Sequence, residues 1–427
     1  MQKVLVIAYY WPPAGGPGVQ RWLKFTKYLP EMGFEPIVYV PENPSYPIVD
    51  EKLLEEVPEG IKIIKQRIQE PYAWASLFSK SKTKTISSGI ISEKNPSFLE
   101  KLLLWIRGNL FIPDARKFWV KPSVRTLSKI IQDEEIKIVI TTGPPHSLHL
   151  IGLELKKSHQ LDWIADFRDP WTSIGYHKKL RLSKSAQKKH KRLEKLVLSS
   201  ADKILVTSNT TKKEFEAITT TPIQVITNGY DNEWEPTELD KDFTISHIGS
   251  LLTGRNPKAL WKALSELVLE NEEFKKVLKI QLAGVVGEEV LKSLEGLGLT
   301  PYLKHLGYLS HNKVLELQRK SQILLLLEID TEETRGIIPG KLFEYFSAKR
   351  PILAIGPTDW EAGNMIKTAN AGIVGSHSDT DTVKSVLLDW FDKYRVQELN
   401  CMSKDIEKYH RRELTRALAN YIQWELS

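Results

Sequence analysis

Cysteine is nearly absent. Cys401 is the only one in 427 residues, so no disulfide can form within the chain and no zinc site can be built on clustered thiolates. A reducing compartment fits this without being demanded. Long apolar runs are missing as well. The longest purely aliphatic stretch is 323–327, far short of the roughly 18–20 residues a membrane helix needs. The apolar start at 4–8 is too short for a signal peptide and reads as a first strand. The chain is therefore expected to be soluble or peripheral. There is no HExxH, no cluster of His and Cys, no Asp-x-Asp and no Walker A loop, so neither a metal nor a cofactor is expected.

What is present is ordinary for a globular chain: 41% hydrophobic and 26% charged residues, with 60 basic against 53 acidic giving a formal charge of +7. That surplus suits a phosphate-bearing ligand, an anionic membrane surface or nucleic acid, and does not choose among them. A single core rarely grows beyond about 250–300 residues, so two domains are expected. Short β-branched runs at 4–8, 37–40, 138–142, 163–167, 203–207 and 223–226 read as strands of the first half. Runs at 243–248, 280–283, 323–327 and 352–355 read as strands of the second. Several are apolar on both faces, as buried parallel strands are. Helical patterns lie between them, such as 19–32 with Trp22, Phe25, Leu29 and Met32 at helical spacing. The alternation predicts α/β units with parallel sheets. The polar stretch 233–242, with Pro236, marks the boundary, giving domains 1–236 and 237–403. Residues 71–100 break the rhythm: they are rich in Ser and Lys, with Tyr72, Trp74, Phe78 and Phe98. They read as a surface insertion or as a substrate or membrane contact.

Ligands of doubly wound sheets bind at the carboxyl ends of the strands. The first strand runs into Gly15-Gly16-Pro17-Gly18 ahead of a helix. These glycines either make a tight turn or let backbone N–H groups approach a phosphate. The second half opens likewise: strand 243–248 leads to Gly249 and Ser250, then to Arg255-Asn256-Pro257. Asn256 suits an N-cap and Pro257 a first helical residue, which puts Arg255 beside a helix N-terminus, where it can grip a diphosphate. Further on, Pro339-Gly340-Lys341 enters a helix that carries Glu344. Lys341 and Glu344 form either a surface i,i+3 ion pair or a nucleotide site. In the second case the ammonium meets phosphates and the carboxylate takes ribose hydroxyls. Asp166-Phe167-Arg168-Asp169-Pro170-Trp171 and Thr141 to Ser147, with His146, also end strands. They offer candidate groups for proton transfer or hydroxyl binding, although His146 equally suits a local loop hydrogen bond. His149 reads as packing or helix surface. The basic run 177–195 is either a solvated helix face or a contact with an anionic surface, with Leu180, Leu182, Leu193, Leu196 and Val197 as its apolar residues.

In this order the pieces resemble glycosyltransferase family four. The resemblance is carried by Gly15-Gly16, Pro113-Asp114, the block 166–171, Ala201-Asp202-Lys203, Asn228-Gly229-Tyr230-Asp231, the loop 249–255, and Pro339 to Glu344. It implies the GT-B fold, two Rossmann-like domains facing a central cleft, with a last helix at about 404–427 returning to the first domain. It implies a retaining, metal-independent, hexosyltransferase-type transfer from a nucleotide diphosphate sugar to a glycan or lipid-linked acceptor, in cell-envelope polysaccharide or glycolipid synthesis. Arg255, Lys341, Asp169 and His146 would be catalytic. Gly15, Gly16, Asp166, Arg168, Ser250, Pro339, Gly340 and Glu344 would bind substrate. The C-terminal domain would hold the donor, the N-terminal domain the acceptor. Expected partners are a nucleotide sugar, the acceptor and the anionic inner face of the plasma membrane, with a cytoplasmic location and no nucleic acid. Three positions depart from the family pattern: Gly336 replaces the first glutamate of its Glu-x7-Glu motif, Ser250 a common basic residue, and Lys349 a glycine. A nucleotide-sugar epimerase of the same fold and a non-catalytic polyanion-binding protein are the rival readings.

Overall fold

Alternate residues of the first strand, β1 (Gln2–Ile7), feed opposite layers. Leu5 and Ile7 pack with Ile37, Val139 and Trp163 on one face, and Val4 and Val6 with Trp22, Phe25 and Ile140 on the other. A strand apolar on both sides can be stable only inside a sheet covered by helices on both faces. The computed structural model, which describes residues 1–70, 98–178, 180–231 and 235–424, has that architecture. The stretch singled out at 71–100 lies outside the described residues over 71–97.

The chain divides into two compact units: Met1–Asn228 with Arg411–Ser427, and Gly229–His410. The division falls inside the Asn228-Gly229-Tyr230-Asp231 element rather than at 236/237. In the first unit β1, β2 (Phe34–Pro41), β3 (Lys62–Gln66), β4 (Ile138–Gly143), β5 (Asp162–Phe167), β6 (Lys203–Val206) and β7 (Ile223–Val225) form a parallel sheet in the order β3-β2-β1-β4-β5-β6-β7. The helix Pro17–Tyr28 covers one face, followed by a 3-10 turn Leu29–Met32. Beside it lies the last helix, Arg411–Gln423, which buries Leu414, Leu418 and Ile422 against the same layer. Full burial of each such side chain contributes roughly 1.5–3 kcal/mol. Lys203 Nζ donates to the Tyr421 and Ile422 carbonyls, 3.0 Å each. A cation there satisfies carbonyls that a helix end leaves unpaired. Residues 404–410, expected in this helix, belong to the second unit.

The second unit repeats the design with β8 (Phe243–Ile248), β9 (Leu278–Ala283), β10 (Leu303–Gly307), β11 (Ile323–Leu327), β12 (Ile352–Ile355) and β13 (Gly372–Gly375), in the order β10-β9-β8-β11-β12-β13. In β11, Ile323, Leu325 and Leu327 face one layer, Leu324 and Leu326 the other. In both sheets the order reverses beside the first strand, between β1 and β4 and between β8 and β11. Such switch points open crevices at the strand ends.

Two local expectations are corrected. The helix after Arg255 starts at Lys258, with Pro257 in the cap position. The Asn256 side chain does not cap this helix: it accepts from Trp261 Nε1 at 2.8 Å and donates to Ser293 Oγ at 2.9 Å. The helix of the basic run, Lys184–Ser200, buries Ala186, His190, Glu194, Val197 and Leu198 and exposes Leu196. His190 and Glu194 belong inside because Trp171 Nε1 donates to one at 3.1 Å and Thr172 Oγ1 to the other at 2.6 Å.

Candidate functional site

In the second unit the switch point is built around glycine. Gly249 leaves β8 with φ +115°, and Gly284 leaves β9 with φ +113°, a region closed to most side chains. A Cβ on Gly284 would stand 2.6 Å from the Gly249 carbonyl oxygen, and one on Gly249 would face Lys341 Nζ at 3.6 Å. The two turns therefore nest against each other and leave room above for the lysine. Lys341 opens the helix Lys341–Ala348, after Pro339 and Gly340. Trp360 Nε1 fixes the entering loop by donating to the Ile337 carbonyl at 2.7 Å.

Lys341 Nζ donates to the Ile248 carbonyl at 3.0 Å and lies 3.4 Å from His247 Nε2. The other ring nitrogen, Nδ1, is 3.0 Å from the Leu325 carbonyl, which can only accept. That assigns the proton to Nδ1 and turns the Nε2 lone pair toward the ammonium. Burial, and then the Lys341 charge, hold His247 well below its usual pKa, so it stays neutral. Among the described residues neither Lys341 nor Glu344 makes an ion pair, with each other or with another residue. Glu344 Oε2 instead accepts from Gln318 Nε2 at 2.8 Å. Burial first, then nearby Arg255, lowers the Lys341 pKa to about 7 against the pull of Glu328 and Glu344. An ammonium without a carboxylate, at a helix N-terminus, is electrostatically complete only with an anion in place.

Arg255 is held by Glu328, which receives Nε at 3.0 Å and Nη2 at 3.2 Å and also accepts the Ile329 N–H at 2.9 Å. The Glu328 side chain is 1% exposed, that of Arg255 33%. Two guanidinium donors are thus fixed from below while part of the group stays open. Ser250, next to Gly249, is exposed. Arg255, Lys341, Gly249, Ser250, Pro339, Gly340 and Glu344 all gather at this end of the sheet. His247, Glu328 and Gln318 were not picked out from the sequence. Their signal was a polar residue inside β8 and an acid directly after the all-aliphatic β11.

In the first unit Gly16 takes φ +102° as the cap of the helix Pro17–Tyr28. A Cβ on Gly15 would approach Ile48 Cγ2 to 2.8 Å, and one on Gly18 would collide with the Arg168 guanidinium. Arg168 therefore lies across the first turn of this helix, 5.7 Å from the Tyr10 ring, donating to the Pro144 carbonyl. Asp169 is half-buried beside it. Burial raises its pKa, and Arg168 partly offsets the rise. Gly15, Gly16, Arg168 and Asp169 thus share one strand-end region.

Two candidates have other employment. Asp166, expected at a substrate hydroxyl, is fully buried. It accepts from Arg21 Nη2 at 2.9 Å, Trp22 Nε1 at 2.7 Å and Thr142 Oγ1 at 2.8 Å. His146, expected to exchange protons, is 5% exposed and stacked on Trp171, with centroids 5.0 Å apart and planes at 2°. Burial drives its pKa well below the usual value, and neither ring nitrogen meets a partner among the described residues.

Two parallel α/β units, each with a glycine turn at its switch point, define the GT-B fold. Solved structures share it across the whole chain. A glycosyltransferase from Rickettsia africae ESF-5 aligns with TM-score 0.59 at 14% identity, covering 100% of this chain and 99% of that one. A lipopolysaccharide outer core galactosyltransferase aligns with TM-score 0.56 at 16% identity, covering 99% of each. A putative UDP-N-acetylglucosamine 2-epimerase from Listeria monocytogenes aligns with TM-score 0.56 at 13% identity, covering 99% and 95%. Residues 90–234 match the model described as Glycosyltransferase Family 4, the family that the motifs resemble. Comparison with curated proteins by sequence finds no match. Among the described residues no helix is long and apolar enough to cross a membrane, and no group of three or more His, Cys, Asp or Glu could hold a metal ion.

Proposed function

We propose that the protein transfers a sugar from a nucleotide diphosphate sugar to a glycan or lipid-linked acceptor, with retention and without a metal ion, in cell-surface polysaccharide or glycolipid synthesis. The observation that carries this is Lys341: an ammonium at a helix N-terminus, over a glycine turn and near Arg255, with no carboxylate of its own. When the bond from the sugar's anomeric carbon to the diphosphate breaks, the electron pair stays on the phosphate oxygen. Lys341, the helix N-terminus and the open part of Arg255 neutralise it. Glu344, with one carboxylate oxygen oriented by Gln318, accepts ribose hydroxyls. Gly336 offers the transferred sugar no carboxylate, so its recognition falls to other residues of the same loop. Gly15, Gly16, Arg168 and Asp169 serve the acceptor side, and His146 supports Trp171 instead of exchanging protons. The protein works in the cytoplasm, in peripheral contact with an anionic membrane through the basic run 177–195.

A donor assay with UDP-, GDP-, ADP- and dTDP-sugars in the presence of a chelator tests this. Slow release of nucleoside diphosphate is expected, reduced roughly a hundredfold by Lys341→Ala or Arg255→Ala in folded protein. The likeness to an epimerase favours a second outcome, an isomeric nucleotide sugar without release, which would replace transfer with epimerisation. Activity that needs an added divalent ion would overturn the metal-free mechanism.

A further inference from the structure

Among the described residues, the helix Phe98–Leu110 of the first unit is buried on one side and exposed on the other. Leu104 and Gly108, one turn apart, are buried. A Cβ on Gly108 would strike the Leu182 side chain at 2.5 Å, so the helix sits close on the segment leading into Lys184–Ser200. Asn109 Nδ2 donates to the Arg181 carbonyl at 3.2 Å and its Oδ1 accepts the Ser183 N–H at 2.8 Å, which locks the two together. On the outward side Leu102, Trp105 and Leu110 are 43%, 42% and 55% exposed, and neighbouring Phe118 is 48% exposed. Several large apolar side chains on one helix side form a ridge, unlike single exposed residues.

The surroundings of this ridge are cationic. Lys117 Nζ donates to the Leu110 carbonyl at 2.6 Å and lies 5.2 Å from the Phe118 ring centroid. Burial, and then Lys189, lower its pKa, which places the Lys189 charge close by. The helix Lys184–Ser200 exposes Lys184, Lys188, Lys189, Lys191, Arg192 and Lys195, while its one acid, Glu194, is buried. An apolar ridge with a tryptophan, bordered by cations, matches the boundary between the acyl chains and the headgroups of an anionic bilayer.

We propose that Leu102, Trp105, Leu110 and Phe118 insert into an anionic lipid surface while Lys117, Lys188 and Lys189 meet its headgroups. The inference rests on the peripheral contact suggested above, and adds the inserting surface and the mode of binding. Flotation of the full chain with vesicles of phosphatidylcholine alone, or with added phosphatidylglycerol, tests it. Binding is expected only to the anionic vesicles. Trp105→Ala or Leu110→Ala should weaken it about tenfold or more, and Lys189→Ala about fivefold in a salt-dependent way. Release of nucleoside diphosphate from a soluble donor should be unchanged in all three variants, which shows that they fold and keeps this test separate from that of the donor site. Salt-sensitive binding that is indifferent to Trp105→Ala and Leu110→Ala would overturn insertion. No binding to anionic vesicles would overturn the surface altogether and leave the ridge to a protein partner.

Discussion

Lys341 makes donor binding proton-linked. In the free protein it titrates at about 7. A diphosphate against Nζ supplies the missing counter-charge and returns the group toward its ordinary range. Binding above neutrality therefore takes up a proton. At pH 8 roughly nine in ten free molecules carry a neutral lysine, so uptake is about 0.9 proton per diphosphate, against about 0.5 at pH 7. If only the ammonium form binds well, affinity falls about fivefold from pH 7 to 8 and about ninefold from pH 8 to 9. The ligand's own second phosphate ionisation, at about 6, is about nine-tenths complete at pH 7 and essentially complete from pH 8, so the step from pH 8 to 9 is free of it. The ring beside Nζ does not mimic the effect, because burial and the Lys341 charge hold His247 well below its usual pKa and it stays neutral; the other charged groups facing Nζ are Arg255, Glu328 and Glu344. Titration calorimetry with UDP, GDP, ADP and dTDP, in two buffers of different ionisation enthalpy, counts the protons directly. In Lys341→Arg the cation stays charged throughout, so uptake should vanish and the pH slope flatten. A count near zero at pH 8, or an affinity constant from pH 7 to 9, refutes the reasoning.

Glu328→Gln removes the charge that holds Arg255 while keeping its size. Turnover should drop between about tenfold and a hundredfold through misplacement, and unchanged kinetics would make the pair merely structural. Asp166→Asn leaves the Arg21 guanidinium buried beside a neutral group, which should cost about 3–5 kcal/mol in denaturant unfolding. Although burial opposes it, the Arg21 charge and hydrogen bonds hold the Asp166 pKa below its usual value. Its stabilisation is therefore present above the unfolded carboxylate pKa and disappears as pH falls through the folded one. Lys349 occupies the left-handed region at φ 51°, ψ 39°. Lys349→Gly relieves about 1–2 kcal/mol of strain and loses part of that to the freer unfolded chain. A gain of up to about 1 kcal/mol should appear in the denaturant midpoint, and a loss would mean that the lysine's own contacts outweigh the strain.

The strands that sequence patterning missed all lie at sheet edges, although one edge strand, β7, was found. Every interior strand was legible, since burial on both faces favours apolar, β-branched residues: β11 is Ile-Leu-Leu-Leu-Leu, and β1 contributes residues to two separate layers. The three missed strands, β3, β10 and β13, all lie at sheet edges. There one side faces solvent, so lysine, histidine or glycine interrupts the run, as in Lys62-Ile63-Ile64-Lys65 and Gly372-Ile373-Val374-Gly375. The basic helix was legible as a helix but its facing was not. His190 and Glu194 are buried because distant residues, Trp171 and Thr172, supply their hydrogen bonds, and no local pattern announces such partners.

The same distinction separates the legible from the illegible parts of the site. Lys341, Arg255 and the glycine turns could be read because each follows a strand end or opens a helix, places that local sequence defines. What each cation does there depends on residues brought from other strands. Lys341 and Glu344, three apart on one helix, read equally well as an ion pair. The structure directs one to Ile248 and His247 and the other to Gln318. Arg255 read as a solitary cation, whereas Glu328, 73 residues away, fixes two of its donors. In the first unit this cross-strand context reverses the expectation. Asp166 and His146 lie at strand ends as supposed, but Arg21 with Trp22 closes over one and Trp171 over the other. Only groups that the packing leaves incompletely paired are available to a ligand. In the second unit that condition selects Lys341 and the open part of Arg255, and in the first it turns attention from Asp166 to Asp169.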